Sequence, residues 1–287
     1  MLFTYFSFDK EGKPYYRLTS GEEITTHYIE FGTKLTLKFD TSQRFCTGGH
    51  DLGTYNSWAC PEHAEVDKKY EQCKQCMDKT GFNPAFYHSS TISHQQEGYN
   101  QQPHNLYLAY FDDSNLKVGI SHTRRGMSRL LEQGARAAIV LDEFASANVA
   151  RQYEARLCRL RWINENIKLS RKIELIEATE FNAEHAAEVL TDAKQRIEAE
   201  TSISFKGGKV ENLNKYYGST AGLSSLNDMS EQAIISGTVK ACIGSLLVTQ
   251  CGEDQLVMPL KKFVGYKVTI SNEIVLVSLP LKQPSLF

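Results

Sequence analysis

The 287-residue chain contains no apolar run approaching the roughly 20 residues of a membrane-spanning helix. Its opening, MLFTYFSFDKEGK, lacks the basic segment followed by a clean apolar one that marks a secretory leader. Both absences lead to the expectation of a cytoplasmic protein with no membrane partner. A surplus of one charge is missing too: 32 Lys and Arg stand against 34 Asp and Glu, a formal net charge of −2, which gives no global attraction to nucleic acid. The placement of charge matters more than the sum. Between Ser114 and Lys172 there are 12 Lys and Arg against 5 Asp and Glu, a local basic segment inside a near-neutral chain.

What is present is the composition of a soluble globular protein, 41% hydrophobic and 23% charged. The length allows a large core and two or three small domains. Seven cysteines divide into two groups. Cys158, Cys242 and Cys251 are scattered and read as small buried hydrophobes. Cys46, Cys60, Cys73 and Cys76 share one polar stretch, and in a reducing compartment clustered cysteines are metal ligands more often than disulfides. Cys73-Lys-Gln-Cys76 has the spacing that lets two thiolates of one tight turn reach a single Zn²⁺, and Cys46 and Cys60 complete a tetrahedral set. His50 and His63 are alternatives to either member of the second pair, and free thiols in a loop are the competing reading. Four protein ligands leave zinc no open position, so such a site would be structural.

Residues 1 to 45 alternate polar and apolar positions; Leu35, Leu37 and Phe39 face one side, which predicts a small antiparallel sheet. Residues 82 to 104 are rich in Asn, Gln, Ser and His and read as a connection, with His88, His94 and His104 as solvated side chains. Asn105 to Leu141 predicts a strand (Leu106 to Phe111), an Asp-Asp-Ser-Asn turn, a second strand (Leu116 to Ser121) and a short helix from about Ser128. Asp142 to Asn166 shows apolar residues at three- and four-residue spacings, predicting a long helix. Glu154 interrupts its apolar face, so its carboxylate must be paired, hydrogen-bonded or bound to metal. Lys172 to Glu180 reads as a strand, and Asn182 as the N-cap of a helix through Glu198. Residues 201 to 232, with Gly207, Gly208 and Gly218, suggest a linker. From Ala233 onward the pattern is β throughout, predicting a small barrel or sandwich.

These segments place the chain in the α+β class: a β-rich region with a zinc-binding loop over residues 1–100, a central α/β module with helices over 101–200, a linker over 201–232, and a small all-β domain over 233–287.

Leu106 to Glu154 resembles the GIY-YIG nuclease superfamily in a divergent form. Tyr107 in NLYLAYF matches the tyrosine of the first motif, Val118-Gly119 in LKVGIS the second motif, Arg129 in MSRLLEQGA the arginine, and Glu154 the metal-binding glutamate. Lys117 stands where the second motif has its tyrosine, and the late asparagine of the family has no clear counterpart. Across nearly its whole length the chain also resembles a prokaryotic family of unassigned function that joins a cysteine-rich region, this module and a C-terminal β-domain. The resemblance implies a phosphodiesterase acting on DNA or RNA, in which Tyr107 positions or deprotonates the nucleophile and Arg129 holds phosphate; Lys117, where the family has a tyrosine, would act as a base if its pKa were depressed or else contact phosphate. It also implies a Mg²⁺ or Mn²⁺ ion on Glu154. Arg124 and Arg125 are expected to share the phosphate, since a guanidinium fork bonds two oxygens at once. The alternative is a zinc-containing protein that binds nucleic acid, RNA in particular, without cutting it; a protein-interaction scaffold is a third class.

Overall fold

The computed structural model describes residues 1–83, 92–178 and 180–280. Four strands open the chain: β1 (Leu2–Phe8), β2 (Pro14–Ser20), β3 (Glu23–Tyr28) and β4 (Lys34–Asp40). The two-residue period of LTLKF does in β4 what the sequence predicts, burying Leu35, Leu37 and Phe39 while Lys38 stays in solvent. The cysteine stretch follows as short pieces. β5 (Arg44–Phe45) pairs with β8 (Glu65–Val66), β6 (Gly49–His50) pairs with β7 (Ser57–Trp58), and α1 (Lys74–Thr80) closes the loop. Helix α2 (His94–Asn100) leads to the central module. His88 lies outside the described residues.

The central module is a five-stranded sheet in the order β12-β10-β9-β11-β13. Its hairpin, β9 (His104–Asp112) and β10 (Asn115–His122), turns where Asp112 accepts the Ser114 N–H at 2.9 Å. Both faces of β9 are buried. Tyr107, Ala109 and Phe111 join one core and Leu106, Leu108 and Tyr110 another, which is why NLYLAYF is apolar without alternation. After β10 come α3 (Gly126–Gln133), β11 (Ala137–Phe144), α4 (Ala147–Leu157), β12 (Ile163–Asn164), α5 (Leu169–Ala178), α6 (Ala183–Thr201) and β13 (Val210–Asn212). Asn182 caps α6 by accepting the His185 N–H at 2.9 Å, as predicted.

Two local expectations change. Lys172 to Ala178, within the strand expected over Lys172 to Glu180, is helical in α5, not extended: Leu169, Ile173 and Ile176 also fit a three-to-four-residue period, and Leu175 and Ile176 are buried. The helix expected from Asp142 starts only at Ala147, capped by Ser146, because Asp142 to Phe144 pair with β9 and extend β11.

The last strands are β14 (Asn227–Asp228), β15 (Ile234–Ile243), β16 (Leu246–Cys251), β17 (Asp254–Pro259) and β18 (Tyr266–Ser271). The expected C-terminal barrel or sandwich does not form. These strands belong to an open nine-stranded sheet, β14-β17-β16-β15-β4-β18-β1-β2-β3, that includes all four N-terminal strands. β4 lies between β15 and β18, so its backbone groups are satisfied only by residues some 200 positions away, such as Leu37 opposite Ile235 and Ile270. The stretch read as a linker is also structured in large part: it supplies β13 and β14 and buries Leu213, Tyr217, Leu223 and Met229. Tyr217 donates its hydroxyl to the carbonyls of Leu131 and Ala135, tying the end of α3 to the large sheet's core.

Candidate functional site

Two constellations carry chemistry. The first is the cysteine centre. Cys46 follows β5, Cys60 sits in a turn, and Cys73 and Cys76 begin α1, with Cys73 as its N-cap. Their four sulfurs lie within 4.8 Å of one another, and Cys46, Cys60 and Cys76 are buried. The Cys60–Cys73 Sγ separation is 3.9 Å, too long for a disulfide and close to the roughly 3.8 Å between thiolates on a tetrahedral zinc. The cluster could hold a metal ion. Burial pushes the Cys46 thiol up to about 11 and raises Cys76 as well, in each case against the thiolate form that a cation would stabilise. At Cys73 burial acts in the same direction but is outweighed by the Cys76 N–H and the neighbouring thiols, and the pKa falls. The Cys73 N–H also donates to the Cys46 sulfur at 3.1 Å. Neither His50 nor His63 belongs to the cluster. The loop closes tightly: a Cβ at Gly48, whose φ is +77°, would lie 2.0 Å from the Trp58 carbonyl oxygen.

The second constellation surrounds β9 and β10. Tyr107 is 2% exposed and opposite Gly119 in register, where a Cβ would come within 2.4 Å of the tyrosine hydroxyl. Gly119 thus makes the room that the ring occupies. Burial raises the pKa of Tyr107, opposed by the Arg129 guanidinium that faces it and reinforced by Glu154. Lys117, half-buried, donates to the Glu165 carbonyl; burial lowers its pKa, while Glu154 counteracts that. The helix α4 brings Glu154, 6% exposed, to the same neighbourhood, where its Oε2 accepts from Arg151. Tyr107 and Lys117 therefore each lie within electrostatic reach of Arg129 and Glu154. One more cation joins them. Lys172 of α5 donates to the Gln133 carbonyl at 2.6 Å and feels Lys117, Lys261 and Arg129; burial, then those charges, bring its pKa down to about 8.

Arg124 and Arg125, the two arginines expected to share the phosphate with Arg129, are both engaged within the chain. Arg125 donates to buried Glu132 at 2.6 Å, which also accepts from Ser7 of β1 and from Lys261 at 3.1 Å; Arg129 stands 3.8 Å from the same carboxylate. Burial pushes the Glu132 carboxyl up, but Arg125, Lys261 and Ser7 outweigh it and hold it below the ordinary range. Arg124, exposed, reaches the Gly53 carbonyl of the cysteine loop at 2.8 Å. His104 departs from the solvated reading: it is 3% exposed and packs against His122 and Tyr99, with ring centroids 5.1 Å and 5.4 Å away, whereas His94 is in solvent.

Glu132, Lys172 and the His104–His122 pair have no signature in the sequence. Glu132 sits on a short helix like any surface glutamate, and only the approach of β1 and of Lys261 buries it. Lys172 falls in the segment read as a strand. The pairing of His122 with His104 follows from the hairpin register, which the turn at Asp112 sets.

The fold and the cysteine centre together define a mixed α+β protein built on two large sheets, with a four-cysteine cluster that could hold a metal ion. Residues 32–268 match the family described as protein of unknown function (DUF2797), and the chain belongs to that family. No curated protein and no solved structure matches it. Among the described residues, no helix is long and apolar enough to cross a membrane.

Proposed function

We propose that this chain is a nucleic-acid-processing protein of the GIY-YIG type, a divalent-metal-dependent phosphodiesterase whose cysteine cluster holds a structural Zn²⁺. The observation that carries the reading is the nearness of Tyr107 and Lys117 to Arg129 and Glu154, four residues from four separate elements. Arg129 is placed to hold a phosphate oxygen and stabilise the charge that develops on it. Tyr107, its pKa raised by burial, keeps its proton at neutral pH, so its hydroxyl orients the attacking water and does not take the proton. Lys117, its pKa lowered by burial, is the better base. Glu154 would hold the divalent ion, which when bound relieves charge on the leaving oxygen. A single carboxylate suits Mg²⁺, which keeps several waters and takes further ligands from substrate phosphate.

A second reading, binding without cleavage, is favoured by the Arg151 bond to Glu154 and by Lys117 in place of a tyrosine. One experiment separates them. Incubation of single- and double-stranded DNA and RNA with the protein and Mg²⁺ or Mn²⁺ is expected to give cleavage that Glu154→Gln and Arg129→Ala each reduce by about 100-fold or more. Absence of cleavage, or cleavage indifferent to both substitutions, overturns the hydrolytic reading. Binding that weakens steeply with salt would then support the second.

A further inference from the structure

On the outer strands of the nine-stranded sheet three tyrosines form a row on one face. Tyr5 of β1 lies 6.1 Å from Tyr15 of β2, and Tyr15 lies 6.1 Å from Tyr28 of β3, at interplanar angles of 44° and 55°. Cross-strand register explains the row, since Tyr15 stands opposite Tyr28 on one side and Ser7, two residues from Tyr5, on the other. Neither ring pair is stacked, Tyr5 and Tyr28 are 40% and 48% exposed, and Tyr15 is half-buried. The Arg17 guanidinium stands 5.3 Å from the Tyr5 ring and 5.7 Å from the Tyr15 ring, and donates to Ser57 of the cysteine loop.

The row is continuous with the central site. Ser7 shares the carboxylate of Glu132 with Arg125. Arg125 in turn is within electrostatic reach of Tyr5, and His50 lies within reach of both Arg125 and Arg17. A line of tyrosine rings and the Arg17 guanidinium thus leads from Tyr28 past Tyr15 and Tyr5 to Arg125, paired with Glu132, and Arg129, beyond which Tyr107 is buried.

We infer that this path is the track of an unpaired nucleic-acid strand, which stacks bases on Tyr5, Tyr15 and Tyr28 and lays its backbone along Arg17 and Arg125 toward the central site. The inference rests on the nucleic-acid reading above and names its substrate class. Charge complementarity and ring availability select the occupant. In a duplex each base is covered on both faces by its neighbours, whereas an unpaired base has a face to offer a tilted, solvent-exposed ring. Stacking of this kind tolerates any base, and the adjoining arginines attract any phosphodiester backbone.

Fluorescence anisotropy without added Mg²⁺ or Mn²⁺ tests the track. The probes are labelled oligothymidine and oligouridine of about 20 nucleotides, together with a mixed-sequence DNA duplex of about 20 base pairs. The wild type is expected to bind the single strands more tightly than the duplex. Tyr5→Ala and Tyr28→Ala, at exposed positions that the fold does not need, should each weaken single-strand binding on the order of tenfold, and Tyr5→Phe should restore it. A preference for the duplex, no single-strand binding at low salt, or affinity unchanged in the double alanine variant overturns the track. The cleavage assay reads separately. Cleavage with tyrosine-independent binding defeats the track and leaves the hydrolytic reading standing, and tyrosine-dependent binding without cleavage does the reverse.

Discussion

His104 and His122 face each other across the β9–β10 hairpin, each 3% exposed, in a cage completed by Tyr99 and, at 6.3 Å from His122, Tyr55. Burial, with His104, Arg124 and Arg125 nearby, brings the His122 pKa down to about 4, and burial lowers His104 too. Both are neutral in the folded protein at pH 7, and the His122 Nδ1 accepts the Arg124 N–H at 3.0 Å. A depressed histidine pKa means the unfolded chain binds more protons between the two values. The contribution of His122 is therefore present above about pH 6.5 and lost as pH falls toward 4. Urea midpoints at pH 7 and pH 5 should fall for the wild type and fall less for His122→Phe; equal drops in the two proteins would refute this. The cysteine centre is common to both, so whatever metal it would release in acid cancels in the comparison.

At the scale of elements, the loop from Cys46 to Cys76 has almost no regular structure of its own: two strand pairs of two residues each and one seven-residue helix. The apolar cluster around the cysteines adds only Ala64 and Val66. On the zinc reading, such a loop is held by its ligands. It is also held at its edges, where Arg44, buried, donates to the Val264 and Lys68 carbonyls and Phe45 donates to Gly265. Purified protein is expected to carry one zinc per chain by metal analysis, and Cys76→Ser to lose it. The variant should also become sensitive to limited proteolysis between residues 46 and 80 while the sheets persist, since the loop contributes no strand to either of them. A folded, metal-free wild type would remove zinc from the account.

On the scale of the whole molecule, the nine-stranded sheet makes the two ends of the chain interdependent. β1 pairs with β18, Leu2 opposite Lys267, and β4 is flanked on both sides by C-terminal strands. A chain ending at residue 226 would leave β4 with two unpaired edges and β1 with one, and would open the core that Leu37 and Phe39 share with Ile235 and Phe263. Its residues 1–45 are expected to lose amide-exchange protection in β1 to β4, and residues 227–287 expressed alone should be equally unprotected. Protection of β4 in the first piece, or of β15 to β18 in the second, would show that the sheet divides. Pairing across such separations also predicts slow folding, because the loop-closure cost precedes the contacts that repay it.

Much of this molecule was legible one segment at a time. The hairpin at Asp112, the N-cap at Asn182, the alternation in β4 and the four clustered cysteines each depend on neighbours within a few residues, and local chemistry sufficed to read them. The rest depended on which surfaces meet. An alternating strand such as LTLKF states that one face is buried but not what covers it, so separate N- and C-terminal β regions and one shared sheet were equally consistent with the pattern. KIELIEATE fits both periods, and packing of Leu175 and Ile176 chose the helix. Glu132 and Arg125 become a buried ion pair, and Tyr5, Tyr15 and Tyr28 become a row, only when strands pair in register. The sequence by itself determined the local elements and the cysteine set, because those are decided by periodicity, turn chemistry and ligand spacing. Only the tertiary structure decided strand order, the partners of each charge and the company each tyrosine keeps, because burial and pairing are properties of segments far apart in the chain.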